Sequence, residues 1–413
     1  MNKILTNIVF VLLCAVLVFA ALARGGVQGW AVTVIHMLTL AAAIVLLMQK
    51  TLDWDWKRVV TPLDLLIVLL LLLASVSTYF STLRPASVKA LLLLLNYAAV
   101  YYLVTYTVRK RRQQYVFAGL IICQGFFLAT FGLLKLAGLQ IFPWFHYRDL
   151  PDFGALTATY GNPNHMAGFF EMAIPLGLGL LLADDSPKRN ITYAPVIFLM
   201  GIGLVLTMSR GGWSCAMLGL IFLAAALLFK RDFPRRRTGI ALTGSGIVLV
   251  LVMLSSYPAV RELLTVPEVI DQAGGLDGRL QVTKAVIAMI QDRPLLGFGP
   301  GTFAYSFLQY QPPGIQGWYT MAHNDYAHFT AELGILLPLF MIWMMIALFR
   351  HGFRKMKSPD LITRGISLGS MAGIFAILCH SFIDFNLHIP ANALFFTILC
   401  ALVAGPSATE EKD

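Results

Sequence analysis

Twelve apolar runs, each close to the length of a membrane-crossing helix, recur along the chain and leave little else for it to become. Their approximate bounds are 5 to 23, 30 to 48, 62 to 80, 88 to 107, 115 to 138, 163 to 183, 191 to 207, 212 to 229, 239 to 256, 324 to 349, 365 to 385 and 390 to 405. About 20 apolar residues cross the hydrocarbon core as a helix, which satisfies its own backbone hydrogen bonds there. With 58% hydrophobic and 13% charged residues over 413 positions, the composition excludes a soluble class. The expectation is an all-α, polytopic membrane protein, a single integral domain over 1–413 with about twelve transmembrane helices. Lys3 precedes an apolar run ending in Ala21-Leu22-Ala23, as in a signal peptide, but the run is long enough to span and reads as an uncleaved first helix.

The formal net charge of +10 does not point to nucleic acid, because the basic residues form short clusters between apolar runs. Placing the N-terminus in the cytoplasm puts 21 of the 31 Lys and Arg residues at the cytoplasmic ends and loops. That is the arrangement the positive-inside rule requires, and it predicts that both termini are cytoplasmic. Ten basic residues remain on the other side, among them Arg148, Arg210, Arg261, Arg279 and Arg293. The five cysteines lie inside apolar runs, without metal-ligand spacing, and read as small core residues.

Two extracytoplasmic segments are long. Residues 139–162 carry Trp144, His146, Tyr147, Arg148, Asp149 and Asp152, and lead into Gly161-Asn162-Pro163-Asn164-His165. Residues 257–323, between the ninth and tenth predicted helices, form the largest polar insertion. Inside it, Val282, Val286, Met289 and Ile290 share a helical face, which predicts a helix over 279–291 lying on the membrane surface or capping a cavity.

The residues suited to chemistry gather on this side. Arg210 sits in the turn Ser209-Arg210-Gly211-Gly212, Arg279 opens the predicted surface helix and Arg293 ends it. A guanidinium pairs bidentately with phosphate oxygens and stays charged when partly desolvated; a headgroup-level anchor is the plainer reading. In Met321-Ala322-His323-Asn324-Asp325-Tyr326-Ala327-His328, Asn324 is a candidate N-cap whose helix end favours anions. Asp325, His328 and Glu332 fall on one helical face, and ionisable groups at that depth face protein or a wet cavity. His323 precedes the helix, where a neutral imidazole takes a proton from an acceptor hydroxyl or merely bonds a carbonyl. Asn162-Pro163 repeats the cap pattern ahead of Glu171, and His380 and Asp384 lie i, i+4. No clustered His/Cys set suggests a metal or other cofactor.

These residues carry a resemblance. His323-Asn324 followed by Gly334, the Ser209-Arg210-Gly211-Gly212-Trp213 turn, Gly278-Arg279 with Pro294-Leu295-Leu296-Gly297-Phe298-Gly299, and Gly161-Asn162-Pro163-Asn164 together resemble the O-antigen ligase and O-antigen polymerase superfamily. The resemblance implies a GT-C-like membrane glycosyltransferase of the bacterial inner membrane, working on the periplasmic face. Its donor would be an undecaprenyl-pyrophosphate-linked glycan, its acceptor lipid A-core oligosaccharide or, in a polymerase, a second lipid-linked glycan. The implied reaction is inverting and metal-independent. Arg210 and Arg279 would hold the leaving pyrophosphate and His323 would assist the acceptor hydroxyl, while Asn324, Asp325, Asn162, Asn164 and Arg293 would bind substrate. The bilayer is the remaining partner, and nucleic acid is not one. A transporter of an amphiphile, with Glu171, Asp325, His328 and Glu332 along its path, is the rival from another class; it usually carries an inverted repeat, which the sequence lacks.

Overall fold

The computed structural model describes residues 2–139, 141–142, 145, 154–183, 187–233, 235–258, 275–313 and 318–407, and among these all regular elements are helical. The first nine are α1 (Asn2–Leu22), α2 (Gly29–Leu52), α3 (Asp64–Tyr79), α4 (Arg84–Thr107), α5 (Arg111–Leu136), α6 (Pro163–Ala183), α7 (Pro187–Leu206), α8 (Arg210–Phe229) and α9 (Arg236–Ser255). After them come α10 (Gly275–Asp292), the one-turn α11 (Phe303–Ser306), α12 (Asp325–Leu333), α13 (Leu336–Lys355), α14 (Leu361–His380) and α15 (Pro390–Ala404). Nine helices among the described residues are long and apolar enough to cross a membrane, and three shorter apolar helices (Asp64–Tyr79, Ile191–Leu206 and Pro390–Ala404) account for the remaining runs. Trp144, His146, Tyr147, Arg148, Asp149, Asp152 and Arg261 lie outside the described residues.

α6 is the axis of the bundle, buried along its whole spanning window. It lies against α14, where Gly365, Gly369 and Gly373 recur every four residues. A Cβ at Gly369 would stand 2.4 Å from the Pro175 carbonyl oxygen, and one at Gly373 would stand 2.7 Å from that of Met172. Small residues at this period let two backbones touch, and in lipid such close packing drives helix association. The contact brings Glu171 of α6 level with His380 at the end of α14.

The basic loops gather at one end of the bundle. Arg111, opening α5, pairs with Asp360 at 3.1 Å, and Arg364 of α14 pairs with Asp232 after α8 at 2.9 Å. Lys355 at the end of α13 donates to the carbonyl oxygens of Leu402 and Gly405 at the end of α15. These pairings bring the segments that follow α4, α8, α13 and α15 to the same end of the bundle.

One expectation is corrected. The run over 324–349 is not one helix but two, because Gly334 takes φ +84° and ends α12. The loop before α11 clasps that end: Phe298 N and Gly299 N donate to the carbonyls of Ala331 and Glu332, and Ile335 N donates to that of Pro294. A Cβ at Gly334 would stand 2.1 Å from the Leu295 carbonyl oxygen, so the position needs glycine for both space and backbone angle. Gly334→Ala is expected to cost at least about 2 kcal/mol and lower the thermal midpoint of the detergent-solubilised protein. The helix expected over 279–291, on the membrane surface or capping a cavity, forms as α10 over Gly275–Asp292. Its predicted apolar face packs on protein, with Val282, Val286 and Met289 fully buried in a cluster with Phe303, Phe307 and Ala331, while Leu280 and Ile287 on other faces stay exposed.

Candidate functional site

The end of the bundle opposite the basic loops brings α6, α8, α12 and the 381–389 turn together. Arg210 is the first residue of α8, held there because Ser209 caps the helix by accepting from Gly212 N at 3.1 Å. Its guanidinium is exposed and lies 4.9 Å over the Tyr257 ring. The next residue, Gly211, runs so close to α14 that a Cβ there would stand 3.2 Å from His380 Nε2. The other ring nitrogen of His380 faces the Glu171 carboxylate at 3.0 and 3.2 Å, with both side chains almost fully buried.

One turn beyond His380, Asp384 turns its carboxylate to His323, with Oδ1 3.8 Å from Nδ1. That is ion-pair range but too long for a hydrogen bond. His323 has φ +52°, a left-handed conformation that ordinary side chains avoid and that concentrates at functional sites. Its ring stands edge-on to Phe385 at 5.1 Å, and His165 stands edge-on to the same ring at 4.8 Å. Burial alone would raise the Asp384 carboxyl, but His323, His165 and His380 hold it well below the usual carboxylate range. A fixed negative charge facing Nδ1 suits an imidazole that gains a proton at Nε2.

Asp325 holds this turn in place. Its Oδ2 accepts from Ser381 Oγ at 2.8 Å and from Leu387 N at 3.0 Å, its Oδ1 pairs with His388 Nδ1 at 2.6 Å, and its backbone N–H donates to the Ser381 carbonyl. Three residues on, His328 Nε2 meets Glu332 Oε1 at 3.2 Å, while Gly301 N and Phe303 N donate to the two oxygens of Glu332. Burial, with His388 close by, depresses the His328 imidazole below its ordinary value. Burial opposes charge on Glu332 too, but His328, His388 and the Gly301 amide outweigh it and keep the carboxyl below its ordinary value.

The other residues predicted for the site take varied positions. Asn324 caps α12, its side chain accepting from Ala327 N at 3.0 Å. Asn162 accepts from Asn164 N at 2.9 Å at the start of α6, and both asparagines are half-buried. Arg293 is exposed and covers the Phe298 ring at 4.8 Å. Arg279 lies in the early turns of α10, whose later turns pack on α12, and its side chain is outside the described residues. The structure thus links Arg210, through Gly211, His380 and Asp384, to His323. It also adds His165 and His388, which carry no local sequence signal beyond being histidines near helix starts.

Asp384→Asn removes the charge facing His323 without changing the shape of the side chain. With His323 as the base of a transfer reaction, the change is expected to lower turnover about 10- to 100-fold, part of the 10²–10⁴ that a general base contributes, with donor KM little changed. Steady-state kinetics with donor and acceptor varied separately would check this.

Residues 195–344 match the family model described as O-antigen ligase. The match takes in Arg210, Arg279, Arg293, His323, Asn324 and Asp325, and stops short of His165, Glu171, His380, Asp384 and His388. No curated protein matches the chain.

Proposed function

We propose, because residues 195–344 match the O-antigen ligase family model, that this multi-pass membrane protein transfers a glycan from undecaprenyl pyrophosphate to lipid A-core oligosaccharide. The reaction takes place on the periplasmic face of the inner membrane, with both termini in the cytoplasm. The observation that carries the reading is His323, held in a strained backbone conformation beside the buried carboxylate of Asp384 and linked through His380 to the helix start that bears Arg210.

In the reaction, His323 Nε2 accepts the proton of the acceptor hydroxyl while Nδ1–H faces Asp384. The acceptor oxygen attacks the anomeric carbon from the side opposite the pyrophosphate, the carbon–oxygen bond to phosphate breaks, and the configuration inverts. Negative charge grows on the departing undecaprenyl pyrophosphate, and the guanidinium groups of Arg210 and Arg279 stabilise it. Fixed charges aimed at a leaving anion give the largest single contribution in many enzymes. No metal is assigned to the reacting atoms. Arg293, Asn162 and Asn164 complete the substrate-facing rim, while Asn324 and Asp325 act by fixing the loop that carries His323.

Purified protein supplied with lipid-linked glycan tests the acceptor. Transfer that requires lipid A-core and gives one glycan per acceptor supports the ligase reading. Products of laddered length formed without lipid A-core would instead make the protein a polymerase that uses a second lipid-linked glycan.

A further inference from the structure

We propose that His328, Glu332 and His388 form a binding site for one zinc-like transition-metal ion, which ties α12 to the 381–389 turn and repositions the loop carrying His323. One donor atom from each side chain lies within 4.8 Å of the others. Three atoms so spaced lie within about 2.8 Å of a common centre, so inward shifts of under about 1 Å bring them to the 2.0–2.2 Å bonds of zinc. His328 and Glu332 are one turn apart on α12, and His388 comes from the 381–389 turn, so an ion would tie two elements together.

The surroundings are those that prepare metal ligands. His388 Nδ1 is bonded to Asp325 Oδ1 at 2.6 Å, and Asp325 is itself fixed by Ser381 and Leu387. That bond places the ring proton on Nδ1 and leaves a lone pair on Nε2, which is buried and has no hydrogen-bond partner. A carboxylate behind a histidine is the usual outer shell of a zinc-bound imidazole. Glu332 is oriented in the same way by two backbone N–H groups. The rings are held by stacking, His328 on Phe303 at 4.2 Å and His388 on Phe329 at 4.3 Å. Two imidazoles and one carboxylate favour zinc and its neighbours over magnesium or calcium, which prefer all-oxygen ligands.

The site reaches the loop through one contact. Ala322 N donates to His328 Nδ1 at 3.4 Å, which leaves the ring proton on Nε2, facing Glu332. An ion ligated by Nε2 moves that proton to Nδ1, and the Ala322 amide, whose bond is already long, turns away. Ala322 immediately precedes His323, so occupancy resets the backbone that presents the base. The ion acts by position and touches no reacting atom.

The test uses the full chain, purified in detergent without affinity histidines. It is exposed to Zn²⁺, gel-filtered and analysed for metal, and a parallel sample receives Mg²⁺. About one zinc retained per chain, a higher thermal midpoint with Zn²⁺ only, and an intense visible spectrum with Co²⁺ are expected. His388→Ala and His328→Gln should each weaken retention at least tenfold. Should either variant fail to fold, the Co²⁺ spectrum of the wild-type protein decides. Wild-type protein that keeps no more zinc than the Mg²⁺-treated sample and gives no Co²⁺ spectrum, or folded variants that keep zinc undiminished, would overturn the proposal and leave the cluster as a hydrogen-bonded brace. Each readout is independent of glycan transfer, so it stands or falls apart from the proposed reaction.

Discussion

His323→Gly is expected to abolish most glycan transfer, by about 10²- to 10⁴-fold in turnover, while leaving the protein at least as stable as the wild type. The two effects separate because of the backbone. At φ +52° the histidine costs about 1 kcal/mol that glycine does not, so a purely structural histidine would be improved by the change. A residue kept in an unfavourable conformation for its imidazole gives the opposite signs, more stability and less activity. Turnover measured beside the thermal midpoint distinguishes the two cases. His323→Ala should lose activity to a similar degree without the gain in stability.

Arg210→Ala is expected to reduce turnover about 10²- to 10³-fold, the usual cost of removing one fixed group that stabilises developing negative charge. The side chain is exposed, and its contact among the described residues, above the Tyr257 ring, is worth only about 0.5–1 kcal/mol at such a site, so unfolding does not account for a loss of that size. Arg210→Lys keeps the charge but not the planar fork and should recover part of the rate. Transfer rates of the three proteins at saturating donor check the order, with wild type fastest and alanine slowest.

The spans were readable because hydrocarbon forces each crossing to spell itself out as a long apolar run. The break at Gly334 was not, since the run stays apolar through it and only the clasp from Leu295 and its neighbours explains the glycine. Hydrophobic pattern placed the buried face of α10 correctly but could not say whether lipid or protein covers it. His323 and Arg210 stood out through local surroundings, a cap and a short turn. Their linkage did not, because His380 ends α14 and Asp384 lies in the turn after it, and both are placed by the packing of α14 on α6 and on the start of α8. The repeat Gly365, Gly369, Gly373 was a usable sign of that contact, since a four-residue glycine period marks close helix pairs in membranes. Nothing local marks His388, whose role rests on Asp325 far away in the chain.

The most direct measurement is the rate of transfer from undecaprenyl-pyrophosphate-linked glycan to acceptor by purified wild-type, Arg210→Ala and His323→Gly proteins, each shown to be folded by its thermal midpoint. Robust transfer by the wild type and losses of at least about 10²-fold in both variants are expected. Transfer at the wild-type rate by either folded variant would contradict the assignment of that residue, and transfer unaffected in both would remove the case for this site.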